Sequence, residues 1–207
     1  MPSSILDCIA GEWSPQIGDP HLMGWVTVLA YLTTAGLAAA VATRAAAARV
    51  HPAPGLQRLF WTGIAVLYVL LAINKQLDLQ SALTALGRCL ALRDGWYEER
   101  KLVQLAFIGA FALSAVLFVA VLAWLLRPIV RSNRIAFLGL CLTLAFVLVR
   151  AVGFHHMDAL IGVRLLGLRM NWILELSGIA LVGTGAVRWL GVAGLPRDAS
   201  GSVPNRL

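Results

Sequence analysis

Long runs free of charge alternate with short polar stretches along the whole chain. Apolar segments cover approximately 21–42, 59–74, 102–126, 135–154 and 171–189. The second is short of the ~20 residues that span hydrocarbon. Its helix is therefore expected to run on through Lys75-Gln76-Leu77-Asp78. Between the second and third runs, 81–93 has a different pattern. Leu83, Leu86 and Leu90 recur at helical spacing, Arg88 and Arg93 give a polar face, and Ser81 stands where a cap belongs. Asp94-Gly95 predicts a turn, and Trp96 and Tyr97 follow where interface aromatics belong. The expected fold is all-α: a polytopic membrane bundle of five transmembrane helices, with one short amphipathic helix lying on the interface as a lid. A polar arm occupies 1–20, the helical domain 21–191, and a Pro/Gly/Ser-rich tail, expected to be disordered, 192–207.

Composition strengthens this picture. The chain is 59% apolar and 13% charged over 207 residues. A soluble domain averages about a quarter charged. Arm residues Asp7, Glu12 and Asp19 come with no Lys or Arg, so no basic signal-peptide region is expected and the first apolar run should remain as a helix. Cys8 has no lipidation context. Small residues at Gly36 to Ala40, Gly109 and Gly183 suit close helix packing, although Ala-rich composition alone gives the same appearance.

The net charge of +7 is confined to short clusters, which report orientation and argue against a nucleic-acid partner. Arg44, Arg49, Arg58, Arg127, Arg131, Arg134, Arg188, Arg197 and Arg206 fall on one side. Lys75, Arg88, Arg93, Arg100, Lys101, Arg164 and Arg169 fall on the other, nine against seven, among denser acids. The expectation is an N-terminus outside and a C-terminus in the cytoplasm. Cys8 and Cys89 would then both lie outside and would pair in an oxidising compartment, while Cys141 lies inside the fourth run. Small apolar filling is the plainer role for all three.

The outer ends of the runs also hold the unusual polar groups. Asn74, Lys75 and Asp78 fall within one helical turn and can meet on one face. They suit a carboxylate held by an amide and an ammonium, or a helix end with Lys75 snorkelling. Glu175 lies one turn inside the last run, where an unpaired carboxylate is costly. A bridge to Arg150 is the plain solution, and a general base or metal ligand the functional one. His155 and Asp158 share a helical face, whereas His155 and His156 diverge by about 100°. With His21 and Glu175, or Asp78, they would hold a divalent metal such as zinc with an open position for water. Interface histidines satisfied by loop carbonyls are the alternative. Met23, Met157 and Met170 near His21 and His156 suit copper(I) less well, and haem less well still. No nucleophile elbow, P-loop or dinucleotide fingerprint occurs in a suitable context.

The strings from Ile73 to Gln80, Gly95-Trp96-Tyr97, Phe154 to Asp158 and Asn171 to Glu175 resemble those of an uncharacterised bacterial family of small polytopic membrane proteins, over roughly 59–180. That resemblance implies a membrane location and no activity. The chain is also similar to the ceramidase and progestin-receptor-like hydrolases in gathering His and Asp near a membrane face. It departs from them in having five expected spans instead of seven and no His-x3-His.

Two functions follow as expectations. The first is an enzyme of the bacterial inner membrane, a hydrolase or transferase acting on a lipid or envelope substrate at the outer face. Glu175, Asp78, His155 and Asp158 would move protons or hold metal, and Arg150, Lys75, Asn74, Asn171 and Arg169 would bind substrate. The second is a non-catalytic subunit that meets other membrane protein subunits as well as the lipid bilayer. A small transporter fits less well, since no inverted repeat is visible.

Overall fold

The computed structural model describes residues 4–14, 17–45, 53–95, 100–152, 164–165 and 168–193. Helices dominate: α1 (Ile5–Glu12), α2 (Leu22–Ala45), α3 (Pro54–Leu77), α4 (Leu79–Arg93), α5 (Arg100–Val130), α6 (Arg134–Val152) and α7 (Met170–Ala193). The only sheet among the described residues is a short pairing, β1 (Arg164–Leu165) with β2 (Leu168–Arg169), just before α7. Among the described residues, four stretches are long and apolar enough to cross a membrane: Leu22–Ala45, Pro54–Leu77, Ala112–Val130 and Met170–Val192. The tail beyond 193, Trp96 and Tyr97 lie outside the described residues.

Boundaries follow local chemistry. Helix α3 begins ahead of the apolar run at Leu59, because Pro54 takes its first turn, where a missing N–H costs nothing. It does not continue through Asp78. Asp78 adopts a left-handed φ of 47°, and it both ends α3 and begins α4. Asp tolerates that region better than most side chains. Helix α4 thus starts before the expected Ser81, whose hydroxyl instead donates to Asp78 Oδ2 at 2.6 Å. The turn at Asp94-Gly95 is present, with Gly95 at φ 77°. Inside the supposed plain arm, Ser4 accepts the Asp7 amide at 3.1 Å and caps α1.

Four helices make the body: α2 packs on α3 and α7, and α6 on α7. Tyr31 of α2 and Tyr68 of α3 meet edge to face with ring centres 5.4 Å apart, a geometry that aromatic pairs favour. The Tyr68 hydroxyl reaches Thr143 Oγ1 of α6 at 3.0 Å. The α6–α7 seam is built on Gly139, Gly178 and Gly185, each backed by atoms of the opposing helix. Gly36 and Gly109, expected at helix contacts, face open space. At the opposite end from Lys75, Gln57 of α3 donates to Ser132 and accepts from Asn133, which fastens α3 to the α5–α6 turn. The middle of α5 is largely exposed, with Phe118 at 61% and Trp124 at 60%, while Leu126 and Ile129 near its end join the core.

Helices α1 and α4 pack together at the Lys75 end, joined by a Cys8–Cys89 disulfide with Cα atoms 6.0 Å apart, an ordinary separation for such a bridge. The sequence puts both residues on one side, and the separation that pairing needs is supplied by the structure. An exposed Arg88–Glu12 pair stands at 2.7 Å. Exposed pairs of this kind add little by themselves. Cys141 is free. Protein unfolded in detergent should therefore titrate one thiol per chain with a chromogenic disulfide reagent, and three after reduction. Three thiols without reductant would refute the bridge.

Candidate functional site

The polar residues at the Lys75 end of the helices converge on Glu175. Its Oε2 lies 2.8 Å from Lys75 Nζ, and its Oε1 accepts the Tyr31 hydroxyl at 3.2 Å. Both charged side chains are 4% exposed. A second carboxylate, Asp19 Oδ2, stands 3.7 Å from the same ammonium. Three helices and the arm thus contribute one group each: Lys75 from the last turn of α3, Glu175 from the second turn of α7, Tyr31 from α2 and Asp19 from the approach to α2.

The expected Arg150–Glu175 bridge is not the pairing that forms among the described residues. Helix α7 turns Glu175 towards α2 and α3, where the flexible Lys75 stem brings its head between the helices, whereas Arg150 is exposed on α6. Arg150 nonetheless borders the same cavity, with Asn74, Lys75, Asp78 and Glu175. The residues selected on α3, α6 and α7 therefore do gather. The cavity is small, about 30 Å³, which is room for one or two waters. Phe146 and Val147 of α6 make its apolar wall.

Other expected members stand differently. Asn171 lies one turn before Glu175 but does not border the cavity, and its Oδ1 finds no partner among the described residues. The Gln76 amide beside Lys75 is buried with neither end satisfied among them. Buried polar atoms without partners are rare, so these mark places where waters or a ligand belong. Arg169 sits in β2, paired in register with Arg164. His21 is exposed just before α2 and does not border this cavity. His155, His156 and Asp158 lie outside the described residues, as does Met157.

Metal chemistry gains no support from the described part. No three His, Cys, Asp or Glu side chains gather there in a metal-sized group. Both Glu175 oxygens are engaged, one by an ammonium that would repel a cation. What the arrangement can do is hold a small anion or polar group against Lys75 and Arg150, and move a proton through Glu175 and Tyr31.

Tyr31, Gly18 and Asp19 are the members that sequence reading missed. A tyrosine deep in an apolar run has a hydroxyl that must find a partner, which is the available signal. Asp19 reads as one more acid of a base-free arm, and nothing local announces its contact with Lys75.

No family model, curated protein or solved structure matches this chain.

Proposed function

We propose that the chain is a five-span membrane protein whose outer-face site binds a phosphate-bearing lipid or envelope intermediate, with hydrolysis or group transfer as the chemistry such a site suits. The buried Lys75–Glu175 pair carries this reading. Taking two charges out of water costs more than their attraction returns unless the geometry is excellent, and apolar residues of similar size often serve stability as well or better. In a chain of apolar helices such a pair is read by default as a functional site. Lys75 and Arg150 supply positive charge to one cavity, and Glu175 is the group placed to accept a proton.

Orientation has two independent supports. The basic residues of the α2, α3, α5, α6 and α7 ends remote from Lys75 favour the cytoplasm for that end. The Cys8–Cys89 bridge favours an oxidising compartment for the other, as in the periplasm outside a bacterial inner membrane. Helix α6 has 19 residues. By helical rise it reaches close to the thickness of the hydrocarbon core, and it serves as the fifth span. Helix α4 then lies along the outer interface.

The test is a titration of detergent-purified protein with short-chain phosphatidylglycerol. Saturable binding is expected, weakened about tenfold in Arg150→Ala, the scale of one charge-assisted contact. Wild-type protein that does not saturate would overturn the reading.

A subunit role is the second reading, favoured by the exposed apolar side chains along the middle of α5, Leu113 to Trp124. Its signature would be no saturable ligand together with a hetero-complex that survives purification.

A further inference from the structure

The cavity at Lys75 is too small for a phosphate group because the chain's own arm closes it. Gly18 borders it, and the Gly18 amide donates to the Gln76 carbonyl at 2.7 Å, where α3 ends. The next residue, Asp19, delivers its carboxylate to Lys75. Two glycines make this approach feasible. A Cβ at Gly18 would fall 3.0 Å from the Asp78 Cβ, and one at Gly24 would meet the Asp19 backbone carbonyl oxygen as well as fall 2.6 Å from its carboxyl carbon. Upstream, the disulfide and the Glu12–Arg88 pair anchor the arm to α4. A second, open cavity of about 460 Å³ lies between α1, the arm and the end of α3, and shares Gly18 and Asp78 with the inner one. Gly18 thus stands between an outer vestibule and the inner cavity, and Asp19 beside it reaches the buried pair.

We propose that Asp19 is a built-in occupant of the anion position, a displaceable plug that an incoming phosphate group must replace at Lys75. This rests on the phosphate-binding reading of the site. Two observations make Asp19 the replaceable partner. It stands 3.7 Å from the ammonium while Glu175 holds it at 2.8 Å. Asp19 is also the more exposed of the two acids, at 17% against 4%. Charge balance agrees. Lys75 and Arg150 match Glu175 and Asp78, so Asp19 adds the extra negative charge that a ligand anion would replace. The apparent affinity of the closed protein is lowered by the fraction of time the plug is out.

The test compares wild-type protein with Asp19→Asn, which keeps the shape and removes the charge, and with Gly24→Ala, whose methyl meets the Asp19 backbone and side chain and so displaces that residue with its charge intact. Each should bind short-chain phosphatidylglycerol about tenfold more tightly than wild type. Adding Arg150→Ala to Asp19→Asn should remove most of that gain. A parallel titration with inorganic phosphate separates the sources. Tightening towards phosphate alone would identify the free anion as sufficient, and tightening only towards the phospholipid would identify a membrane-borne headgroup. Wild-type affinity in both Asp19→Asn and Gly24→Ala, with Arg150→Ala still weakening binding, would overturn the plug and leave the site. Absence of saturable binding in every variant would overturn the site and the plug together.

Discussion

Lys75→Met is expected to destabilise the protein by about 3–5 kcal/mol, the range for removing one partner of a buried ion pair. The substitution conserves most of the stem volume, so the loss comes from leaving Glu175 buried without its ammonium. The only neutral donor then left to the carboxylate among the described residues is the Tyr31 hydroxyl on its other oxygen. Adding Glu175→Leu should recover most of the stability, because the pair's attraction offset little more than its own desolvation. Recovery should remain incomplete by about 1 kcal/mol, since the Tyr31 hydroxyl then lacks its acceptor, and Tyr31→Phe in the same background should return that remainder. Reversible unfolding in mixed micelles would measure the cycle, with the coupling between the two sites as the decisive quantity. A double variant as stable as wild type but unable to bind phosphatidylglycerol would separate function from stability. A double variant no better than Lys75→Met would show that the pair is a structural tie, and the functional reading would lose its carrying observation.

This pair also shows how far the sequence is legible. The run lengths dictate helices, because a backbone in hydrocarbon must satisfy itself, and all five apolar runs do become helices. Asn74, Lys75, Asp78, Arg150 and Glu175 stand out by chemistry alone: polar groups at the ends of apolar runs. Which of them pair is a different kind of information. Lys75 and Arg150 are equally plausible partners for Glu175 on charge, and the choice depends on which helix lies across from α7 at that height. Helix α7 packs on both α2 and α6, while Lys75 arrives from α3 by way of its long stem. Periodicity carries no record of that rotation. The arm illustrates the same limit at longer range. Asp19 meets Lys75 from far outside any local window of sequence, and Cys8 meets Cys89 across a separation of 81. The short helix α1 inside the arm is likewise not read from the sequence, although Ser4 stands at its start as a capping residue.

Helix contacts are the least legible feature, and they lead to the second large effect. Gly139→Ala should cost about 1–3 kcal/mol, the range for overpacking a tight contact. The added Cβ would fall 2.7 Å from the Val182 amide nitrogen and 2.8 Å from the Gly178 carbonyl oxygen. These are backbone atoms, which cannot rotate away as a side-chain tip can, so α6 and α7 must separate. In lipid, helix association depends heavily on such close packing, because the tails are as apolar as the side chains they would replace. Gly36→Ala is the matched control, because its Cβ would meet nothing within 4 Å. Its stability should be unchanged or slightly higher from helix propensity. The seam also sets the site. Helix α6 carries Arg150 and α7 carries Glu175, and Gly178 lies one turn beyond that carboxylate. Moving these helices apart should therefore weaken phosphatidylglycerol binding along with stability. Arg150→Ala should weaken binding alone, because its side chain is exposed and holds no helix in place. Equal losses of stability in Gly139→Ala and Gly36→Ala would mean that the α6–α7 approach is not the constraint, and the geometry inferred between Arg150 and Glu175 would lose its support.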